Sequence, residues 1–349
     1  MVTAMRDDLL FFTSLTLTQS DIRKIVTFMS ESGLKVNNYL DNVLVSPLFA
    51  SAESLGRIKH LKEQYNTKVM FDSGGYFVQT GKITYEELYY PLLQFYLANT
   101  WADIYTLPDH VPVSQDSEDR VWGKVEDTVR YSRLFFAELP PELKDRALPV
   151  VQGHTYEQVD YCLKMHLDLG VKQVGFGSFG TAGQNKESNI ATYGSVALAR
   201  HVVEAAKTQN VKVHFFGLGA PALVAMIYGN GAYSFDSSSW IKAAGFGQVF
   251  LPFMRAYNIS HRNRGAEMQK GITVTQFREL CNLTHHSCPF CADIEQLQSR
   301  KMYRTLHNLI VIKDTVQMIN SGLYKQVQTI YQQGSPRYQQ EYEKWLAIA

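Results

Sequence analysis

The chain has 349 residues and a formal net charge of +1, because 34 lysines and arginines nearly balance 33 aspartates and glutamates. This length fits one large domain or two of ordinary size. Hydrophobic residues at 45% and charged residues at 19% are close to globular averages, which excludes disorder, collagen and coiled coil for the whole chain. A uniformly basic nucleic-acid-binding surface is also excluded, whereas a local basic patch is not.

The apolar runs and the cysteines of the sequence indicate in which cellular compartment the protein works. No apolar run approaches the roughly 18 residues of a membrane span, so we expect no membrane association. The N-terminal segment has acidic residues before its short apolar run and no small-residue cleavage site, so it makes a poor signal peptide. Four cysteines are too few for a disulfide framework, and Cys281, Cys288 and Cys291 lie close together. This pattern indicates a reducing, cytoplasmic compartment and a metal site.

Short apolar, β-branched runs recur along the chain, and helix-like stretches such as 155–170 and 193–210 lie between them. Strands that alternate with helices predict βαβ units and a parallel sheet. About eight such units over roughly 250 residues favour an α/β fold of the (β/α)₈ TIM-barrel type over a doubly wound sheet, and no GxGxxG motif follows the first predicted strand. The predicted strands lie within 41–47, 67–75, 102–109, 147–153, 172–180, 212–219 and 232–238, with 247–252 as a further candidate.

Polar or flexible residues stand where these predicted strands end. In a barrel the C-terminal ends of all strands face one mouth, where active sites lie. The alternative is ordinary turn chemistry, because Asp, Ser and Gly are common in turns and helix caps. The set as a whole favours a site, and its members are Asp72, Asp109, Gln152, Ser178, the Gly217–Gly219 turn and Asp236.

The pattern changes after residue 255. A polar, basic stretch comes first, a Cys/His segment (281–307) follows, and further predicted helices continue to the end of the sequence. We therefore expect residues 1–255 to form the barrel with the catalytic site. Residues 256–349 are expected to form a zinc-binding segment and C-terminal helices that pack on the barrel.

The Cys/His segment predicts one structural zinc ion. Cys288 and Cys291 form a C-x₂-C pair, and His307 follows downstream. A structural zinc ion needs four nitrogen or sulfur ligands in a tetrahedron, so the fourth ligand is either His286 or Cys281. The alternative is a set of reduced, buried cysteines beside a surface histidine.

Several motifs together are similar to those of a known family. FDSGGY (71–76), VVQG (150–153), VGFGSFG (174–180), HFFGLG (214–219), SFDSSSW (234–240) and CPFC…LHNL (288–309) occur in the order seen in tRNA-guanine transglycosylases. The resemblance covers roughly residues 67 to 310. It implies a (β/α)₈ barrel with a zinc-bearing insertion, and an enzyme that exchanges a guanine in a polynucleotide for a 7-deazaguanine.

The resemblance also implies roles for individual residues. Asp236 matches the nucleophile of the family and Asp72 its general acid/base. Asp109 and Gln152 match the groups that read the purine edge, and Tyr76 stands where an aromatic ring stacks on the base. The substrate-binding residues implied in this way are Ser73, Tyr76, Asp109, Gln152, Phe176, Gly177, Phe216 and Gly217.

The sequence departs from the tRNA enzymes after the nucleophile. Trp240, Ile241 and Lys242 stand where the family has a Pro-Thr-Arg motif that grips tRNA, and His286 replaces the first zinc cysteine. FDSGGY, LPDHVP (107–112) and FDSSSW together look most like the DpdA-type branch, whose members insert 7-deazaguanines into DNA in phages and bacteria. The implied partners are double-stranded DNA and a free 7-deazaguanine such as preQ0, in the cytoplasm of a bacterium or a phage-infected host.

A base in duplex DNA must be flipped out to reach the pocket, and phosphate contacts would supply most of the affinity. The alternative for each basic residue is an ordinary solvated position. The sequence leaves open a homodimer or a helper protein. The expected phosphate contacts are Lys242, Arg255, Arg262 and Arg264, and further candidates are Lys270, Arg300, Lys301 and Arg304.

Three other functions compete with DNA base exchange. A tRNA-guanine transglycosylase with an altered grip on the anticodon loop is the first. A non-catalytic nucleic-acid-binding subunit is the second, but the presence of both Asp72 and Asp236 argues against it. A metal-dependent barrel hydrolase is the third, and it would need more strand-end ligands than His154 and His214.

Overall fold

The computed structural model describes residues 7–179, 191–260 and 271–333. Arg262, Arg264 and Lys270 lie outside these ranges. A parallel sheet of nine strand segments forms the centre of the molecule. Its strands are β1 (Leu10–Ser14), β2 (Asn42–Val45), β3 (Lys68–Phe71), β4 (Ile104–Thr106), β5 (Ala147–Leu148), β6 (Val150–Val151), β7 (Gln173–Phe176), β8 (Lys212–Phe215) and β9 (Ser234–Ser237).

The sheet closes into a barrel through two junctions. The strand order is β5-β4-β3-β2-β1-β9-β8-β7-β6, so β1 joins the two halves by parallel pairing with β2 and β9. β5 and β6 are the halves of one strand interrupted at Pro149, which has no N–H to donate. The Pro149 carbonyl still accepts a hydrogen bond from the Gly175 N–H at 2.8 Å. Counting β5 and β6 together gives eight strands, which confirms the predicted (β/α)₈ barrel.

One barrel strand differs from those predicted from the sequence. β1 was not predicted, yet it lies between two other strands of the barrel. Part of the 247–252 candidate instead forms β10 (Gln248–Val249), which pairs antiparallel with β11 (Tyr257–Asn258) away from the barrel. Because β1 already pairs with β2 and β9, the described sheet has no place between those two strands for the 247–252 segment.

Helices surround the barrel and continue beyond it. Many begin at a side-chain cap, as at Thr155, whose hydroxyl accepts from the Gln158 N–H in a capping box. Among the described residues, no helix has the length and apolar character needed to cross a membrane. The helices are α1 (Gln19–Glu31), α2 (Val36–Tyr39), α3 (Ala52–Tyr65), α4 (Gly75–Gln79), α5 (Tyr85–Ala98), α6 (Glu118–Glu138), α7 (Pro141–Lys144), α8 (Tyr156–Leu167), α9 (Tyr193–Lys207), α10 (Val224–Gly229), α11 (Ser239–Gly245), α12 (Val274–Leu283), α13 (Pro289–Ala292), α14 (Ile294–Ser299), α15 (Lys301–Asn320) and α16 (Tyr324–Gln333).

The apolar core has two parts because side chains alternate between the faces of each strand. A large cluster lies between the sheet and the helices. A smaller cluster fills the inside of the barrel and positions the site above it. Its buried members are Phe12, Leu44, Met70, Ile104, Leu148 and Val150, and Phe216 packs against them.

The long helix α15 is bonded to α11, α14 and β10 through buried polar side chains. Asn308 donates to the carbonyls of Trp240 and Gln248 at 3.1 Å each. Arg304 is also buried, and its guanidinium donates to the carbonyls of Ala244, Leu297 and Gln298. These contacts correct the expectation that Arg304 meets phosphates, because its donors already satisfy backbone carbonyls.

Candidate active site and metal centre

A cavity of about 440 Å³ opens at the C-terminal ends of the barrel strands. Nine of the ten predicted catalytic and substrate-binding residues line it, and so does Lys242. The exception is Phe176, for which the resemblance implies backbone contacts; its side chain is fully buried on the other face of β7, with its ring centroid 4.9 Å from that of Phe179. The nine are Asp72, Ser73, Tyr76, Asp109, Gln152, Gly177, Phe216, Gly217 and Asp236.

Asp72 follows β3 and carries a carboxyl group with a strongly shifted pKa. Its Oδ2 accepts a hydrogen bond from the Ser46 hydroxyl at 2.7 Å and a longer one from the Gly74 N–H at 3.3 Å. Burial raises the pKa of Asp72 to about 7, the bond from Ser46 opposes this rise, and the carboxylates of Asp109 and Asp236 add to it. A carboxyl group with this pKa can both give and take a proton near neutral pH.

Asp109 and Gln152 form one hydrogen-bonded group on the opposite side of the cavity from β1. Asp109 Oδ1 accepts from the Ser73 hydroxyl at 2.8 Å, and its Oδ2 accepts from Gln152 Nε2 at 2.7 Å. Gln152 Oε1 in turn accepts from the Ser178 hydroxyl at 2.5 Å. Burial raises the pKa of Asp109 to about 6, although both of its hydrogen bonds lower it. These bonds fix the rotamers of the pair before any ligand arrives.

Asp236 lies on β9, and one of its oxygens receives both of its hydrogen bonds. Oδ1 accepts from the Gly217 N–H at 2.8 Å and lies 3.4 Å from Nε2 of His214 on β8. From the sequence, His214 was expected only as an insufficient metal ligand, and Ser46 had no predicted role. The signal for His214 is the strand period of two, which places it on the same inner face as Phe216.

Two glycines allow the polar groups of the cavity to approach the backbone. A Cβ atom at Gly177 would lie 2.4 Å from Gln152 Nε2. A Cβ atom at Gly75 would lie 2.7 Å from Asp109 Oδ1. Any side chain at either position would displace a residue of the hydrogen-bonded group.

The rim of the cavity carries an aromatic residue and a lysine. Lys242 Nζ lies 5.7 Å from the ring centroid of Tyr76 on α4. Arg255 does not line the cavity, and its guanidinium lies 4.8 Å from the ring centroid of Tyr257. Trp240 is fully buried, so it packs in the fold and its ring does not reach a neighbouring base.

A His/Cys cluster lies beside α15. One ligand atom from each of its four residues lies within 4.8 Å of the others. The cluster contains His286 and does not contain Cys281, which favours His286 as the fourth ligand. Its members are His286, Cys288, Cys291 and His307.

The surroundings of the cluster leave the ring nitrogens of both histidines suited to a metal ion. His307 Nε2 is bonded to the Phe250 carbonyl at 2.8 Å, so Nδ1 faces the sulfurs of Cys288 and Cys291 at 3.5 and 3.3 Å. His286 Nδ1 lies 2.9 Å from Asp314 Oδ2, and the part of the chain that the structure describes offers its buried Nε2 no hydrogen-bond partner. Two thiols and two oriented imidazoles fit one tetrahedral metal ion, with the outer carboxylate and carbonyl typical of such sites.

The model of the family described as Queuine tRNA-ribosyltransferase matches residues 96–328. The chain belongs to this family. The matched region contains Asp109, Gln152, Asp236 and the metal cluster, whereas Asp72 and Tyr76 precede it. The family is one of guanine transglycosylases, which suggests transglycosylase activity on nucleic-acid bases. No curated protein matches the chain.

Proposed function

We propose that this protein exchanges a guanine in double-stranded DNA for a free 7-deazaguanine such as preQ0, through a covalent intermediate on Asp236. The observation that carries the proposal is that Asp72 and Asp236 face one cavity, which also contains the bonded pair Asp109 and Gln152. Two carboxyl groups beside a pocket that can read a purine are what glycosidic exchange requires.

The first half-reaction breaks the bond between the sugar and guanine. The Asp236 carboxylate attacks C1′ of the sugar, and the electron pair of the C1′–N9 bond leaves with the base. Asp72 gives its proton to the departing guanine. The pKa of Asp72, raised by burial to about 7, supports this role because a protonated fraction is present at neutral pH.

The second half-reaction returns both carboxyl groups to their starting states. The 7-deazaguanine gives the proton on its N9 to Asp72, and N9 then attacks C1′ as the bond to Asp236 breaks. Two displacements at the same carbon retain its configuration. The exchange consumes no oxidant, reductant or nucleoside triphosphate, because one glycosidic bond replaces another.

Base selection would rest on the Asp109–Gln152 pair and Tyr76. Asp109 can accept from the N1–H and 2-amino groups that guanine and 7-deazaguanines share. Gln152 uses one N–H for Asp109, which leaves its second N–H for the O6 of the base. Adenine would leave these buried groups unpaired, and such a mismatch discriminates strongly between substrates. The Tyr76 ring would stack on the base.

Zinc is the metal we propose for the cluster of His286, Cys288, Cys291 and His307. When bound, it would cross-link the 286–291 segment to α15. Four protein ligands leave no open coordination position on the ion, so the carboxyl groups of Asp72 and Asp236 would catalyse the exchange.

DNA is proposed over tRNA because Trp240, Ile241 and Lys242 replace the tRNA-gripping motif. The position of Lys242 at the rim supports a contact with the phosphates beside a flipped-out nucleotide, whereas the buried Trp240 makes no such contact. Arg255 is a further described candidate, and Arg262 and Arg264 remain proposals from the sequence.

The test is base exchange by the purified protein. Radiolabelled guanine or preQ0 is supplied with duplex DNA or with bulk tRNA. Native protein, Asp236→Asn and the surface control Asp127→Asn are compared. Label in DNA that Asp236→Asn loses and Asp127→Asn keeps would support the proposal. Label in tRNA alone would identify a tRNA enzyme, and label in neither would favour a non-catalytic binding role.

A further inference from the structure

A histidine and a serine lie behind the carboxylate of Asp236, and both are buried. His214 Nδ1 lies 2.8 Å from the Ser234 hydroxyl oxygen, and its Nε2 lies 3.4 Å from Asp236 Oδ1. Aromatic neighbours restrict the imidazole ring, since its centroid lies 4.5 Å from that of Phe216 and 5.7 Å from that of Phe12. The ring is therefore held in place on both its polar and its apolar sides.

The hydrogen-bond partners define one tautomer of a neutral His214. A hydrogen on Nδ1 would point at Ser234 and leave an unprotonated Nε2 facing the carboxylate, which would place two acceptors against each other. A hydrogen on Nε2 points instead at Asp236 Oδ1, and the Ser234 hydroxyl then donates to Nδ1. This second arrangement satisfies all three groups, as buried polar groups require.

Both hydrogen bonds to Asp236 arrive at the same oxygen. The Gly217 N–H also donates to Oδ1, at 2.8 Å. Within the described residues, no protein hydrogen bond to Oδ2 accompanies them. Oδ2 is therefore the oxygen that can bond to carbon without first losing a partner.

We propose that His214 is a positioning residue, which Ser234 holds as the Nε2–H tautomer. In this role it holds Oδ1 of Asp236 in place and presents Oδ2 for attack. The inference rests on the proposed function, because it takes Asp236 as the nucleophile. Catalytic hydrogen bonds are often long before the substrate binds. The 3.4 Å separation would shorten in the second half-reaction, as the bond from C1′ to Asp236 breaks and negative charge returns to the carboxylate.

The tautomer is tested first and without any activity. Protein labelled with ¹⁵N at histidine distinguishes a pyrrole-type from a pyridine-type nitrogen by chemical shift, and His214→Gln assigns the signal. We expect a protonated Nε2 and an unprotonated Nδ1 in the native protein. In Ser234→Ala we expect a mixture of the two His214 tautomers. A protonated Nδ1 with a bare Nε2 would overturn the inference.

Kinetics test the effect on the nucleophile. His214→Phe keeps a ring against Phe216 but removes the donor, and we expect kcat to fall about ten- to hundredfold while KM for the free base changes less than about twofold. His214→Gln places an amide N–H near the Nε2 position and should restore most of kcat. His201→Phe is the matched control, because it removes a histidine–aspartate pair from the outer surface.

Two results would contradict the inference: native kcat in His214→Phe, or equal losses in the Phe and Gln variants. If His214→Phe does not fold, Ser234→Ala provides the kinetic test, since it removes one hydroxyl and should lower kcat with KM unchanged. If native protein exchanges no base, the proposed function fails, and the tautomer measurement alone decides the arrangement of His214.

Discussion

Gln152 Nε2 donates to Asp109 Oδ2 at 2.7 Å, so the amide and the carboxylate that face the cavity are bonded to each other. The sequence predicts them as two separate contacts to the purine edge. Their bond makes the orientation of Asp109 depend on Gln152, whose own Oε1 accepts from Ser178. The pocket is thus organised before a base enters, which lowers the ordering cost of binding.

Removal of the Gln152 amide is expected to weaken base binding. Gln152→Ala leaves Asp109 Oδ2 without its donor in a buried site, so we expect KM for the free base to rise about ten- to hundredfold. The exposed Gln209→Ala should leave KM unchanged. Steady-state kinetics with varied base and saturating DNA measure both variants. An unchanged KM in Gln152→Ala would contradict the assignment.

Asp72 is expected to make the free energy of unfolding depend on pH. Burial raises its pKa to about 7, whereas the unfolded chain has the ordinary value of 3.8. Between these two values the folded state binds more protons than the unfolded state, so stability decreases as pH rises. Asp72→Asn has no charge to bury and should abolish exchange. Its gain in unfolding free energy should be about 2 kcal/mol larger at pH 8 than at pH 5.

Urea denaturation at the two pH values measures this difference. Asp145→Asn, which changes an exposed carboxylate paired with Lys172, is the control and should show no such difference. Equal stability gains for Asp72→Asn at pH 5 and pH 8 would show that the carboxyl group titrates at its ordinary pKa.

Gly177→Ala is expected to disturb the Asp109–Gln152 pair through a single methyl group. The new Cβ would lie 2.4 Å from Gln152 Nε2, so the amide must move away from Asp109. We expect KM for the base to rise at least about tenfold, with unfolding free energy lowered by about 1–3 kcal/mol. Gly194→Ala is the matched control, since nothing lies within 4 Å of its Cβ position. Equal behaviour of the two variants would contradict the contact.

The metal cluster predicts one zinc ion per chain with His286 as a ligand. His286→Ala should lose the metal and lower Tm by more than about 10 °C, because binding of a structural zinc ion contributes directly to folding. Cys281→Ala should keep the metal, since Cys281 is outside the cluster. Elemental analysis of the purified variants distinguishes the two. Zinc loss in Cys281→Ala with retention in His286→Ala would reverse the ligand assignment.

Much of the barrel could be predicted because its strands and helices have local signals. Each apolar run is followed by a polar or glycine residue, and parallel strands bring those residues to one mouth. This reasoning located Asp72, Asp109, Gln152 and Asp236. β1 was missed because its short apolar run was considered only as a possible signal peptide, for which it is a poor match, and only its pairing with β2 and β9 shows that it belongs to the sheet.

The sequence by itself determined the fold class and the residue types of the cavity, since periodicity and motif order depend on neighbours along the chain. Only the tertiary structure decided which groups are bonded to each other. Ser46 reaches Asp72 and His214 reaches Asp236 across separate strands. His286, and not Cys281, joins the metal cluster, and the donors of Arg304 are already bonded to backbone carbonyls. These outcomes depend on contacts between residues distant in sequence, which spacing and composition do not encode.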